Sequence, residues 1–253
     1  MTKVVAIHSY RGGTGKTHFT ANLATAMAMQ GHRVAVVDTD VPSPGIHNLF
    51  CLDADRVPKT LNHFLWGESA IDAAAYEVTA ATGIVGGGKI WLVPSSVKAD
   101  DIARILQDGY DVKRLNDGFR SLSKTLGLDY LLIDTHPGLS RETFLSIAVA
   151  HMVMLVLRPD KQDYQGTAVT VDVARQLKVR DMLLVINKAH RRLDPATLKA
   201  KVEERYDVPV AGVFPLSEDV AQLASEGIFC VRHPAHPISL ELGVVASRVL
   251  ESM

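Results

Sequence analysis

The chain has 253 residues, of which 47% are hydrophobic and 22% charged, and its 27 basic and 28 acidic side chains give a formal net charge of -1. This composition supports a large core and excludes both wholesale disorder and a generally basic nucleic-acid-binding coat. Cys51 and Cys230 form no C-x-C or C-x-x-C pair, so we expect two buried thiols in a reducing compartment. No signal peptide and no apolar run near the roughly 20 residues of a membrane span is present, which predicts a cytoplasmic protein.

Short apolar runs alternate with longer helical segments along the chain. The predicted strands cover residues 3–9, 33–40, 89–96, 129–135, 151–159, 181–188 and 208–215, and residues 19–31 predict a helix closed by Gly31. Continuous runs of Val, Ile and Leu are typical of parallel strands that helices cover on both faces. We therefore predict an α/β fold, a doubly wound, mostly parallel sheet of about seven or eight strands flanked by helices, forming a single P-loop domain over residues 1–253.

A glycine-rich loop, "SYRGGTGKTH", joins the first predicted strand to the first predicted helix. Backbone N–H groups at a helix N-terminus, together with the helix dipole, favour phosphate at such a position. Lys16 would reach the β- and γ-phosphates, and the Thr17 hydroxyl would ligate Mg²⁺. The residues predicted to bind nucleotide here are Gly12, Gly13, Thr14, Gly15, Lys16, Thr17 and His18.

Three acidic residues follow predicted strands at the edge where open α/β sheets bind ligands. Asp38 and Asp40 lie in "VVDTDVPSPG", and Asp134 ends "LLID" before "THPG". Any one of them alone would fit a helix cap or a solvated loop. Together, beside a phosphate-binding loop, they indicate a site for a nucleotide and a metal ion.

The motifs "RGGTGKT", "VVDTDVPSPG", "LLIDTHPG", "LVINK" and "GVFPLSEDVAQLASEG" occur in this order over nearly the whole chain. In these motifs the sequence resembles the ParA/MinD class of deviant-Walker-A ATPases. The resemblance implies ATP and Mg²⁺ as ligands and slow hydrolysis. It also implies an ATP-sandwich homodimer, in which a signature lysine of the loop crosses to the partner's phosphates.

The resemblance also implies roles for single residues. Lys16 would be the phosphate lysine and Thr17 a magnesium ligand. Asp38 would hold a magnesium-bound water, and Asp134 would be the Walker B acid. Asp40 matches the aspartate that orients the attacking water.

On the base side, Asn187 matches the asparagine that recognises adenine, and the segment after Pro215 matches the loop that packs on the base. The chain departs from the family pattern at several positions. The signature lysine is Arg11, Asp40 is followed by Val41-Pro42, and His18 and His136 replace a common threonine and proline.

Arg11 has two interpretations. A guanidinium donates bidentate hydrogen bonds to phosphate and keeps its charge, so Arg11 would stabilise the transferring phosphoryl group across a dimer. Alternatively, Arg11 would pair with an acidic residue of its own subunit. Because its neighbours belong to the phosphate loop, we favour the first interpretation and count Arg11 with Lys16 and Asp40 as catalytic.

Three segments bear on partners. Residues 172–206 carry nine basic and five acidic side chains, which fits weak, non-specific DNA binding and equally fits two solvated helix faces. The C-terminal segment has one basic residue, Arg248, against Glu241 and Glu251, so a core-packed helix is favoured over a membrane anchor. Its predicted apolar stripe is Leu240, Val244, Val245 and Val249.

The segment 64–88 contains Trp66 and Tyr76, which would dock a partner or, more simply, pack on the core. We predict an ATP-dependent switch that positions or partitions an unknown cargo. One alternative is a regulatory adaptor that binds ATP and a protein partner with little hydrolysis. Another is a biosynthetic P-loop enzyme of the dethiobiotin-synthetase or amidoligase type.

Overall fold

One eight-stranded sheet organises residues 1–53, 56–84 and 86–252, the part of the chain that the computed structural model describes. The strands are β1 Lys3–His8, β2 Arg33–Asp38, β3 Tyr76–Glu77, β4 Lys89–Val93, β5 Tyr130–Asp134, β6 Met152–Leu157, β7 Asp181–Ala189 and β8 Val210–Pro215. The helices are α1 Lys16–Met29, α2 Ile46–Leu49, α3 Leu61–Leu65, α4 Thr79–Thr82, α5 Ala99–Asp108, α6 Val112–Leu126, α7 Arg141–Val149, α8 Lys161–Gln176, α9 Pro195–Tyr206, α10 Glu218–Leu223, α11 Phe229–Arg232 and α12 Pro237–Glu251, with a 3-10 turn at Asp72–Ala74.

The strand order is β3-β4-β2-β5-β1-β6-β7-β8, and every neighbouring pair is parallel except β3 and β4. The predicted doubly wound, mostly parallel sheet is therefore confirmed. From β1 the chain builds outward in both directions, so a crevice opens at the carboxyl end of this strand. The glycine-rich loop leaves β1 at that crevice.

The register of the central strands fixes which side chains meet at the carboxyl edge. Asp38, the last residue of β2, pairs with Asp134, the last residue of β5. On the other side of β5, Asp134 pairs with Ile7 of β1. Two of the predicted acidic residues are thus neighbours beside the start of the loop.

Both faces of the sheet are buried, as the continuous apolar runs predict. Along β2, Val34 and Val36 belong to one apolar cluster, whereas Ala35 and Val37 belong to another. Successive side chains of a strand point to opposite faces, so this division means that helices cover each side. A third cluster lies under α8 and α9.

Helix α1 is almost wholly buried, because it packs against the sheet and against α12. It begins at Lys16, three residues before the predicted start, because the glycine-rich loop closes directly onto its first turn. Gly31, with φ +95°, follows its end as predicted.

The C-terminal helix α12 packs on the core as expected, but its predicted apolar stripe is partly wrong. The buried face is formed by Ile238, Leu242, Val245 and Val249. Leu240 and Val244 are exposed. Within the three described ranges, no helix combines the length and the apolar content that crossing a bilayer requires.

The described part of segment 64–88 packs on the body of the protein. The Arg104 guanidinium lies 4.0 Å from the Trp66 ring centroid, and the Tyr76 hydroxyl donates to the Lys59 carbonyl at 2.7 Å. Val85 of this segment lies outside the described residues.

The two cysteines differ in their surroundings. Cys230 is buried as predicted, and burial raises the pKa of its thiol to about 12. Cys51 is exposed, so the expectation of two buried thiols is wrong for this residue, which lies in the loop after α2.

Candidate functional site

The glycine-rich loop is held from outside by the end of β7. Gly15 has φ +91°, and a Cβ on it would overlap the Asn187 side-chain amide. Asn187 Nδ2 donates to the Thr14 carbonyl and Lys188 Nζ to the Gly13 carbonyl, both at 2.8 Å. Because these contacts use the loop carbonyls, they fix the loop without occupying its N–H groups. Lys188 is a site residue that sequence reasoning counted only as a basic residue.

Tyr10 stands where a first loop glycine is usual. Its ring lies on α8 at Gly166, where a Cβ would overlap the ring. The aromatic side chain is therefore accommodated by a glycine 156 positions away in sequence, a pairing that no local pattern could show.

Lys16 forms a buried ion pair at the start of α1. Its Nζ lies 2.8 Å from Asp134 Oδ1, and the same oxygen accepts from Thr20 Oγ1 at 3.1 Å. The structure thus brings together the predicted phosphate lysine and the predicted Walker B acid.

The carboxylates of Asp38 and Asp134 fit a magnesium site. Within the described chain, Asp38 Oδ2 and Asp134 Oδ2 are both buried and have no hydrogen-bond partner. Burial, followed by repulsion from Asp134 and Asp40, raises the pKa of Asp38 well above its ordinary value. A divalent cation would satisfy both free oxygens and relieve this repulsion.

The described residues form no cluster of three or more His, Cys, Asp and Glu side chains that could hold a metal ion. Proteins often bind Mg²⁺ through one or two carboxylates together with phosphate oxygens and water. Thr17, the third predicted ligand, lines the same cavity as Lys16.

Asp40 is fixed at both its backbone and its side chain. Its N–H donates to Asp38 Oδ1 at 3.0 Å, and its Oδ1 lies 2.7 Å from His136 Nδ1. Asp40 is buried and lines the cavity beside the loop. The side chain that contacts the Asp40 carboxylate is His136. From the sequence, this histidine was noted only as a departure from the family pattern.

Two cavities adjoin at the loop. One, of about 360 Å³, has the charged side chains of Lys16, Asp40 and Lys188 in its wall. It is lined by Ser9, Gly12, Gly13, Thr14, Gly15, Lys16, Thr17, His18, Asp40, Ser43, His136, Pro137 and Lys188. The other, of about 300 Å³, is mainly apolar and includes Phe19, Asn187, Phe214, Pro215 and Leu216 in its wall. Gly15, His18 and Lys188 line both. The arrangement suits a ligand with an anionic part and an apolar ring.

The predicted base-side residues lie together at the second cavity. Asn187 and Pro215 both line it, and Phe19 and Phe214 meet edge to face with their centroids 5.9 Å apart. His18 stands between the cavities, where burial and then the Lys188 charge lower its pKa.

Arg11 is paired within its own chain. Its NH1 lies 3.5 Å from Asp160 Oδ1 and 3.6 Å from Asp163 Oδ1, at the N-terminus of α8. The Asp163 side chain is buried, while that of Arg11 remains 36% exposed. The structure thus shows Arg11 paired with acidic residues of its own subunit, the second of its two interpretations. The role of Arg11 across a dimer stays a prediction.

The sheet order, the loop at the N-terminus of α1 and the paired carboxylates at the strand ends define a P-loop nucleotide-binding protein. The model of the CobQ/CobB/MinD/ParA nucleotide-binding domain matches residues 5–229. The chain belongs to this family, which confirms the ParA/MinD resemblance.

Individual relatives agree with this assignment. An ATP-binding protein of Methanocaldococcus jannaschii is 26% identical over 251 residues, which cover 99% of this chain and 88% of the relative. The septum site-determining protein MinD of Pyrococcus horikoshii, complexed with Mg-ADP, shares the fold with a TM-score of 0.81 and 24% identity, covering 98% of this chain and 96% of its own.

A MinC:MinD cell division protein complex of Aquifex aeolicus contains the same fold, with a TM-score of 0.79, 17% identity and coverage of 99% of this chain and 96% of that one. The Mg-ADP of the Pyrococcus protein agrees with the prediction that ATP and Mg²⁺ are ligands of the family.

Proposed function

We propose that the chain is a single ATPase domain over residues 1–253 that acts as a switch of the MinD/ParA type. It binds Mg-ATP, dimerises around it, engages a protein partner and is reset by slow hydrolysis. The observation that carries this proposal is the pair of adjoining cavities, one beside the glycine-rich loop and one apolar, which meet at Gly15, His18 and Lys188.

In this proposal the phosphates lie along the N-terminus of α1. Lys16 would exchange its contact with Asp134 for the β- and γ-phosphates, and Thr17, Asp38 and Asp134 would hold Mg²⁺, which would neutralise phosphate charge. The ion pair between Lys16 and Asp134 supports these roles, because it places the lysine ammonium beside a carboxylate that would help to hold Mg²⁺. Asp40 orients the attacking water.

The base lies in the apolar cavity between Phe19 and the segment after Pro215. Asn187 contributes the second lone pair of its amide oxygen or reorients its side chain, since Nδ2 donates to the Thr14 carbonyl and Oδ1 accepts from Lys188 N–H at 2.9 Å. The same amide therefore links the base site to the phosphate loop.

Arg11 acts in trans in the ATP-bound dimer. The partial exposure of Arg11 and its place in the first half of the loop support this role. In the absence of a dimer, Asp160 and Asp163 bind the guanidinium. We expect Arg11→Ala to lose both ATP-dependent dimerisation and most ATP hydrolysis. Arg191→Ala, which alters an exposed arginine of the turn after β7, serves as the control. Unchanged dimerisation and hydrolysis in Arg11→Ala would contradict the role in trans.

The partner is a protein whose cellular position depends on the nucleotide state. The MinC:MinD cell division protein complex of Aquifex aeolicus contains a protein of the same fold together with another protein, which supports a protein partner. We place the switch in the cytoplasm. Weak DNA binding through residues 172–206 is a secondary expectation, tested by ATP-dependent retention on DNA that falls steeply with salt.

The pairing of Arg11 inside its own chain favours one alternative function. If Arg11 stays bound to Asp160 and Asp163, the protein would bind ATP and a partner with little hydrolysis. Turnover of purified protein separates the two functions, since the switch requires measurable phosphate release that a partner accelerates. Turnover that requires a small carboxylate substrate would instead indicate a biosynthetic enzyme.

A further inference from the structure

A histidine meets the carboxylate that the proposed function assigns to the attacking water. His136 Nδ1 lies 2.7 Å from Asp40 Oδ1, and both residues line the cavity beside the glycine-rich loop. An ionised carboxylate only accepts hydrogen bonds, so Nδ1 carries the proton in this contact. The distance is that of a charge-assisted hydrogen bond.

The backbone around Asp40 does not by itself fix the direction of the carboxylate. Asp40 N–H donates to Asp38 Oδ1 at 3.0 Å, and its carbonyl accepts from Ser43 N–H at 3.1 Å. These contacts hold the main chain of the turn and leave the side-chain torsions free. In the described part of the chain, His136 is the side chain that binds the Asp40 carboxylate.

His136 is itself held against the phosphate loop. Thr143 Oγ1 donates to the His136 carbonyl at 3.3 Å, and Gly138 N–H donates to the Ser9 carbonyl at 3.1 Å. The segment after β5 is thus tied both to α7 and to the start of the loop. The imidazole therefore holds Asp40 at a fixed position relative to the glycine-rich loop.

We propose that His136 is a positioning residue for ATP hydrolysis: its Nδ1–H holds Asp40 Oδ1 so that Oδ2 faces the attacking water. This inference rests on the proposed function. In the step concerned, the water oxygen forms a bond to the γ-phosphorus and the bond to the β,γ-bridging oxygen breaks. ADP leaves with that electron pair, and the proton released by the water goes to the phosphate product. His136 acts on the reaction through Asp40.

Asn and Leu have side chains of nearly the same shape, so replacing His136 by each of them in turn isolates the contribution of the hydrogen bond. Asn places an amide N–H where Nδ1–H lies, whereas Leu has the same branching and no donor. We expect His136→Leu to lower kcat by about 10- to 100-fold, the range of a hydrogen bond to a charged group. We expect KM for Mg-ATP, and the Kd for Mg-ADP measured by calorimetry, to stay within about twofold. His136→Asn restores most of the lost kcat.

The control is a second histidine–aspartate contact at the opposite edge of the sheet. His32 Nδ1 lies 3.8 Å from Asp129 Oδ2, before the start of β2, so His32→Leu should leave kcat unchanged. A His136→Leu variant with wild-type kcat, or a His136→Asn variant as slow as His136→Leu, would overturn the positioning role.

Asp40→Asn separates the failure of this inference from the failure of the proposed function. If His136 acts through Asp40, the double variant Asp40→Asn/His136→Leu is no slower than Asp40→Asn alone. If Asp40→Asn abolishes turnover while His136→Leu does not change it, the inference fails and the proposed function stands. A wild-type protein without Mg-ATP turnover overturns both.

Discussion

The histidine at the end of β1 makes the folded state sensitive to acid. His8 is fully buried, its Nδ1 lies 2.8 Å from Thr135 Oγ1, and in the described structure its Nε2 has no hydrogen-bond partner. Burial, followed by the charges of Lys16 and His136, lowers the pKa of His8 from 6.5 to about 3. Between these two pH values the unfolded chain binds a proton at this position that the folded chain does not.

The sign and size of the effect follow from this difference. A base whose pKa is lowered by folding contributes stability above pH 6.5 that is lost as the pH falls toward 3. Each pH unit below the unfolded pKa costs about 1.4 kcal/mol. His8 alone should therefore reduce the free energy of unfolding by about 2 kcal/mol between pH 7.5 and pH 5.

Urea unfolding of the wild type and of His8→Asn at both pH values tests this figure. Asn can still bond to Thr135 Oγ1 but does not titrate, so the wild type should lose about 2 kcal/mol more than the variant on acidification. His190→Asn, which changes an exposed histidine, should behave like the wild type. Equal losses in the wild type and in His8→Asn would refute the reasoning.

Three further substitutions test packing and charge. Gly166→Ala should lower the free energy of unfolding by about 1–3 kcal/mol, because its Cβ would overlap the Tyr10 ring, and Tyr10→Ala in the same chain should recover most of the loss. Gly243→Ala, in a helix with open space around the new methyl group, should stabilise by about 0.5–1 kcal/mol. Asp38→Asn should raise the Tm without ligand at pH 7.5, because burial and then Asp134 raise the pKa of this acid and its ionised form destabilises the fold. The same variant should gain less Tm than the wild type on adding Mg-ADP, and an equal gain would speak against Asp38 as a magnesium-site residue.

The sheet could be predicted because its strands are buried on both faces. Runs such as residues 129–135 and 151–159 carry an unbroken apolar signal, and the acidic residues at their ends mark the edge where ligands bind. The two-residue strand β3 escaped prediction, because Tyr76 and Glu77 are too few to form a pattern and owe their pairing to β4. Leu240 and Val244 were assigned to the wrong face of α12, because a short apolar run fits more than one helical stripe.

Single residues of the candidate site could be proposed from the sequence, but the contacts between them could not. Lys16, Asp38 and Asp134 follow from motif and position alone. The contact of His136 with Asp40 joins residues 96 positions apart, and that of Lys188 with Gly13 joins residues 175 positions apart. Such contacts depend on sheet order and on a bulge near the end of β7, neither of which has a local signature.

ATP-driven dimerisation is the property that defines the proposed switch. Light scattering on Asp40→Ala, which should bind ATP without hydrolysing it, measures the molar mass with Mg-ATP, with Mg-ADP and without nucleotide. The proposed function predicts a mass twice that of one chain with Mg-ATP and the mass of one chain in the other two conditions. The same mass in all three conditions would contradict it.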